Sequence, residues 1–161
     1  MFNIVLIEPR MPQNVGNIGR TCVATGSSLH IVHPIPFQIT DKNVKRAGLD
    51  YWQDLDLHEY TDIYDFFRKT QGGRYIFATT KADKTYADID YRPGDYILFG
   101  REDKGLSELL LLMHPETSVR IPMINDTRSL NLSNSVAILT YEAFRQHNFA
   151  TLNEIGHLTK Y

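Results

Sequence analysis

Five apolar bursts punctuate the chain: NIVLI at 3–7, LHIVH at 29–33, YIFAT at 75–79, YILFG at 96–100 and VRIPM at 119–123. They are short and rich in β-branched and aromatic residues, so each reads as a strand. Helix-like stretches with recognisable punctuation lie between them. Residues 17–25 end at Gly26, with Asn17 placed to cap their start. Asp41 would cap KNVKRA before Gly48, and Asp62 would cap IYDFFRKT, whose Ile63, Phe66 and Phe67 share one face. Ser107 would cap ELLLLM, which stops at His114-Pro115. Ser133 would cap a last helix with Val136, Leu139, Ala143 and Phe144 on its buried stripe.

Strands alternating with helices predict an α/β fold with a mostly parallel sheet. A chain of 161 residues suits one domain, 1–161, and the weak periodicity of residues 148–161 predicts a loosely packed C-terminal tail. Apolar residues make up 42% and charged residues 22%, as in ordinary globular proteins. No apolar run approaches the roughly 20 residues that span a bilayer. The opening MFNIVLIEPR lacks a basic leader and reads as a first strand, not a signal peptide. The single cysteine, Cys22, allows no internal disulfide and suits the cytoplasm. A net charge of −2 makes a general nucleic-acid coating unfavourable, so any RNA contact needs a local basic patch.

Ligands collect at the carboxyl ends of parallel strands. Polar loops follow three of the predicted strands: ATTKADKT, FGREDKGLSE and the stretch RSLNLSNSV at 128–136. Together they would line one pocket, with Arg20, Lys81, Lys84, Arg101, Lys104 and Arg128 in or beside it. Several common chemistries lack their signatures. Gly16 and Gly19 do not complete G-x-G-x-x-G, and no acidic residue ends the next strand, which disfavours a dinucleotide cofactor. Neither a phosphate loop nor a G-x-S-x-G elbow is present. His30 and His33 lack the spacing of a metal-ligand set, and Cys22 reads as core.

Three motifs in order resemble those of the SpoU branch of the SPOUT superfamily of RNA methyltransferases. They are Asn14-Val15-Gly16-Asn17-Ile18-Gly19-Arg20, then Phe99-Gly100-Arg101-Glu102-Asp103-Lys104-Gly105-Leu106, then Ile121-Pro122-Met123 followed by residues 128–134. RAGLDYW at 46–52 and the opening NIVLIEP narrow the likeness to the YibK-like subfamily, over about residues 1–147. The second motif departs from the common pattern at Arg101, Asp103 and Lys104, where Pro, Thr and Arg are frequent.

The resemblance implies an α/β domain whose C-terminal part is threaded as a trefoil knot. It implies S-adenosylmethionine as cofactor, no metal, and a homodimer that methylates the ribose 2′-OH of the wobble nucleotide, cytidine or uridine 34, in the anticodon arm of leucine tRNA. Ribose methylation of ribosomal RNA, or a silent RNA-binding module on the same fold, are the alternatives. Ala78, Gly100, Ile121, Ser129 and Leu130 would hold the cofactor. Asn17, Glu102, Arg128, Asn131, Ser133 and Asn134 would support the loops or reach substrate, and Arg20 would be the catalytic residue. A guanidinium stays protonated, so Arg20 suits orienting a phosphate and steadying an oxyanion better than acting as a base.

Overall fold

The computed structural model describes residues 1–39, 50–124 and 129–159, apart from the side chains of Asp50 and Tyr51. Its strands are β1 (Asn3–Ile7), β2 (Ser28–Val32), β3 (Leu57–Tyr60), β4 (Tyr75–Ala78), β5 (Lys84–Thr85), β6 (Tyr96–Phe99) and β7 (Ser118–Arg120). The helices are α1 (Pro12–Thr25), α2 (Ile63–Lys69), α3 (Glu108–Met113) and α4 (Leu132–Gln146), with 3-10 turns at Asp50–Asp54 and Pro115–Thr117. All strand pairs are parallel, in the order β3-β2-β1-β6-β4-β7-β5.

The apolar runs become strands because both faces of the sheet are covered. Phe2, Ile4, Leu6, Leu29 and Ile97 meet Ile18 of α1 and Leu139 of α4 on one face. Val5, Val32, Phe77 and Leu98 meet Phe66 of α2 on the other, with Leu110 and Leu111 of α3 packed alongside. Helices α1 and α4 also touch one another, so both loops that open them stand over the same end of the sheet. The two strands not predicted, β3 and β5, are the edges of the sheet. His58 and Glu59 of β3 face solvent, and β5 is only a Lys-Thr pair, so neither carries a continuous apolar run.

Two capping expectations need correction. Helix α1 begins at Pro12, where a proline's missing N–H costs nothing, and Asn17 is therefore an exposed mid-helix residue. Arg20 is the ninth residue of α1 and not near its N-terminus. The cap of α4 is Asn131, whose side chain accepts from the N–H groups of Ser133 and Asn134; Ser133 is already inside the helix. Asp62 caps α2 as expected, accepting from Asp65 N–H at 2.8 Å. Ser107 stands at the cap position of α3 but makes no side-chain cap bond. The stretch KNVKRA, with Asp41 and Gly48, lies outside the described residues. Within the expected tail, Phe149 and Leu152 pack against the core, and the exposed stretch starts at Asn153.

Candidate functional site

A cleft of about 460 Å³ opens at the carboxyl ends of β4, β6 and β7 and beneath the starts of α1 and α4. All three polar loops line it. The loop after β4 contributes Ala78, Thr79 and Lys81; the loop after β6 contributes residues 100–106; the third side is Ile121, Met123, Ser129, Leu130 and Asn131.

Gly100 is where two backbone segments touch. A Cβ there would stand 2.1 Å from the carbonyl carbon of Gly105 and 2.3 Å from the nitrogen of Leu106. The loop between them is a tight turn, closed by Gly105 N–H donating to Arg101 O at 2.8 Å and by a left-handed φ of 70° at Gly105. Backbone groups are thereby brought to the cleft wall with no side chain in the way.

Asn14 and Asn131 join the second and third loops to the start of α1. Glu102 spans to the start of α1, where one oxygen accepts from Arg10 N–H at 2.8 Å. Its other oxygen accepts from Met11 N–H at 3.1 Å and Asn14 Nδ2 at 2.9 Å. The carboxylate thus satisfies donors at the entry to α1, next to the positive end of the helix. Asn14, only 3% exposed, passes the chain on by accepting from Asn131 Nδ2 at 3.0 Å. Asn131 Oδ1 then accepts from Ser133 N–H at 2.9 Å and Ser133 Oγ at 2.6 Å. One connected line of hydrogen bonds ties the second loop, α1 and α4 together.

The charges around the mouth are mostly matched. Arg101 forks onto Asp103 at 2.7 and 2.9 Å and reaches Glu8 at 3.3 Å. That fork holds the Asp103 carboxyl down at about 2. Lys81 pairs with Glu108, and Lys84 pairs with Glu116 at 2.6 Å. Cys22 is fully buried, and desolvation pushes its thiol up to about 12, so it is no nucleophile. Among the described residues no group of three or more His, Cys, Asp or Glu side chains converges as a metal site would require.

Of the sequence-derived residues, Ala78, Gly100, Ile121, Ser129, Leu130, Glu102 and Asn131 line the cleft. Asn17, Arg20, Ser133 and Asn134 do not. Arg20 lies on the exposed side of α1, about 9 Å further along the helix than Asn14 by helical rise. Arg128 lies outside the described residues. Sequence reasoning missed Asn14 as a joining residue. Its signal was an amide in register with the apolar stripe of Val15, Ile18 and Cys22, since a buried amide needs a partner. Gly19, beside Arg20, leaves room for Trp52, which a Cβ would approach to 2.9 Å.

The SpoU rRNA Methylase family matches this sequence over residues 1–141. A tRNA (cytidine(34)-2'-O)-methyltransferase of Methylovorus glucosotrophus is 46% identical over 154 residues, 93% of this chain and 98% of that protein. A solved structure giving insights into 2-OH methylation of C/U34 on tRNA superposes with a TM-score of 0.86 at 38% identity, over 92% of this chain and 97% of that one. An AdoMet-bound rRNA methyltransferase from Sinorhizobium meliloti gives a TM-score of 0.79 at 25% identity, over 89% of this chain and 56% of that one.

Proposed function

The chain belongs to the SpoU rRNA Methylase family, and from that membership we propose that it methylates the ribose 2′-OH of the wobble nucleotide, cytidine or uridine 34, in leucine tRNA. The observation that carries the reading is the cleft, where Ala78, Gly100, Ile121, Ser129 and Leu130 meet across three strand ends. S-adenosylmethionine fits this wall. Adenine and ribose are neutral polar surfaces that need fixed donors and acceptors, which the backbone lining the cleft at Gly100 and the 129–131 loop offers. When bound, that cofactor supplies an activated sulfonium methyl. What remains for the protein is to align the ribose oxygen and to steady the charge that develops on it. A tRNA target is favoured over ribosomal RNA because the tRNA relative is similar over almost its whole length at far higher identity than the rRNA enzyme.

Arg20 is assigned to the substrate side, orienting a phosphate and stabilising the developing oxyanion. Asn17, Ser133, Asn134 and Arg128 stand with it as substrate or supporting residues. Because Arg20 and Asn17 lie outside their own cleft lining, the reading includes a homodimer with the anticodon arm bound across both subunits. A cytoplasmic location is part of the same reading, on the ground of the single cysteine. The reading also includes the trefoil knot in the C-terminal part. Glu102 is assigned to support and not to proton transfer, since both its oxygens are occupied by donors at the entry to α1.

Methyl transfer from labelled S-adenosylmethionine to total tRNA and, separately, to rRNA tests this, followed by nuclease mapping. A 2′-O-methylated nucleotide 34, with activity reduced roughly 100-fold or more by Arg20→Ala, is expected. Label in rRNA alone would move the chain to ribosomal RNA, and cofactor binding without label in either RNA would leave a silent module.

A further inference from the structure

Among the described residues, five charged side chains line the cleft: Lys81, Arg101 and Lys104 against Glu102 and Asp103. Four of them are already committed. Arg101 is clasped by Asp103 and Glu8, Lys81 is held by Glu108, and Glu102 is taken up by the donors at the entry to α1. Lys104 makes no ion pair or hydrogen bond among the described residues, and its side chain is exposed. Its backbone is nonetheless well fixed. It sits inside the turn that the Arg101–Gly105 bridge closes and that Gly105 holds in the left-handed region.

A cation on a fixed backbone turn at the mouth of a cleft, with no partner among the described residues, is available to an external anion. Two anions belong to the proposed reaction: a phosphate of the RNA strand and the carboxylate of the cofactor's amino-acid end. The cofactor is zwitterionic at that end and carries a sulfonium besides, so its net charge is positive and a further cation helps it little. The RNA is a polyanion, and this chain, at −2 overall, attracts it only through local cations. We propose that Lys104 docks a phosphate of the RNA strand beside the target nucleotide. The proposal rests on the RNA-methylation reading and adds to it a substrate-positioning residue.

The test uses the full chain, purified leucine tRNA, and binding measured from about 50 to 200 mM salt. Wild type, Lys104→Met and Lys104→Arg are compared, with S-adenosylmethionine affinity measured separately for each. Lys104→Met should weaken tRNA binding several-fold. It should also lower the steepness of log affinity against log salt by about 0.7 to 0.9, the contribution of one phosphate contact. Lys104→Arg should restore the wild-type steepness, and all three proteins should bind S-adenosylmethionine alike. An unchanged salt dependence in Lys104→Met, with wild-type methylation intact, overturns the assignment alone. Loss of cofactor affinity in its place gives Lys104 to the cofactor's carboxylate and also overturns it. A wild-type protein that neither binds nor methylates tRNA removes the functional reading and this inference together.

Discussion

Replacing Asn14 with alanine removes two hydrogen bonds from a buried site: the 2.9 Å bond donated to Glu102 and the 3.0 Å bond accepted from Asn131. The first is made to a carboxylate, a class worth about 1.5–3 kcal/mol, and the second is a neutral bond worth about 0.5–1.5 kcal/mol. Glu102 keeps its two backbone donors, so its loss is partial, whereas the Asn131 amide is left facing the vacated space. A total near 3 kcal/mol follows, and for a domain of 161 residues that lowers the melting temperature by roughly 6–12 °C. Urea unfolding of wild type, Asn14→Ala, Asn131→Ala and the double variant measures it. Because both single changes break the same bond, the cycle should show a coupling of about 1 kcal/mol. Cofactor affinity should fall with Asn14→Ala as well, since two cleft walls lose their common support. Additive single effects, together with a loss under about 1 kcal/mol for Asn14→Ala, would falsify the idea that this chain of bonds holds the loops in place.

Gly100→Ala would push a methyl to 2.1 Å from the Gly105 carbonyl carbon, so the loop at residues 101–105 must move by more than an ångström to regain ordinary contact. About 1–3 kcal/mol of stability should be lost, and cofactor binding by calorimetry should drop out before the fold does. His30 gives a pH signature. It is buried between Tyr60 and Asn3 and stacked on His58, and desolvation lowers its pKa from 6.5 to about 4. The unfolded chain therefore takes up this proton first. His30 contributes nothing to pH dependence above 6.5, and stability falls as pH drops from 6.5 to 4, by about 3 kcal/mol in all. His30→Gln should flatten that segment of a stability-against-pH curve, and an unchanged slope would count against a neutral buried imidazole.

The central strands were legible in the sequence because burial on both faces forces continuous apolar runs such as NIVLI and YILF. The edges were not, because an edge strand such as LHEY shares its pattern with a loop. The start of α1 was hidden for a different reason. Met11 carries no capping side chain, and the carboxylate that holds the entry to the helix, accepting from Arg10 and Met11 N–H, arrives from Glu102, far away in sequence. At the start of α4 the neighbouring Asn131, Ser133 and Asn134 all satisfy a local capping rule, and the tertiary bond to Asn14 decides among them. The cleft wall was readable at Gly100 and Ile121 through the family motifs. The distance of Arg20 and Asn17 from that wall was not, because it depends on where α1 begins.

Strand β1 lies between β2, about 25 residues on, and β6, more than 90 residues on, with Asn3 opposite both Ser28 and Tyr96. That order has a consequence for synthesis. A ribosome releases β1, α1 and β2 early, but the other edge of β1 stays open until β6 has emerged. Meanwhile Ile4, Val5 and Leu6, all fully buried in the finished protein, sit on a strand with unpaired backbone groups. The nascent chain is therefore most exposed to mispairing during the middle of translation. A truncation ending before Tyr96 should be insoluble for the same reason. The described cleft walls come from Met11 and Asn14, residues 78–81 and 99–106, then Ile121, Met123 and residues 129–132, so there is nothing for a ligand to bind until nearly the whole polypeptide is in place.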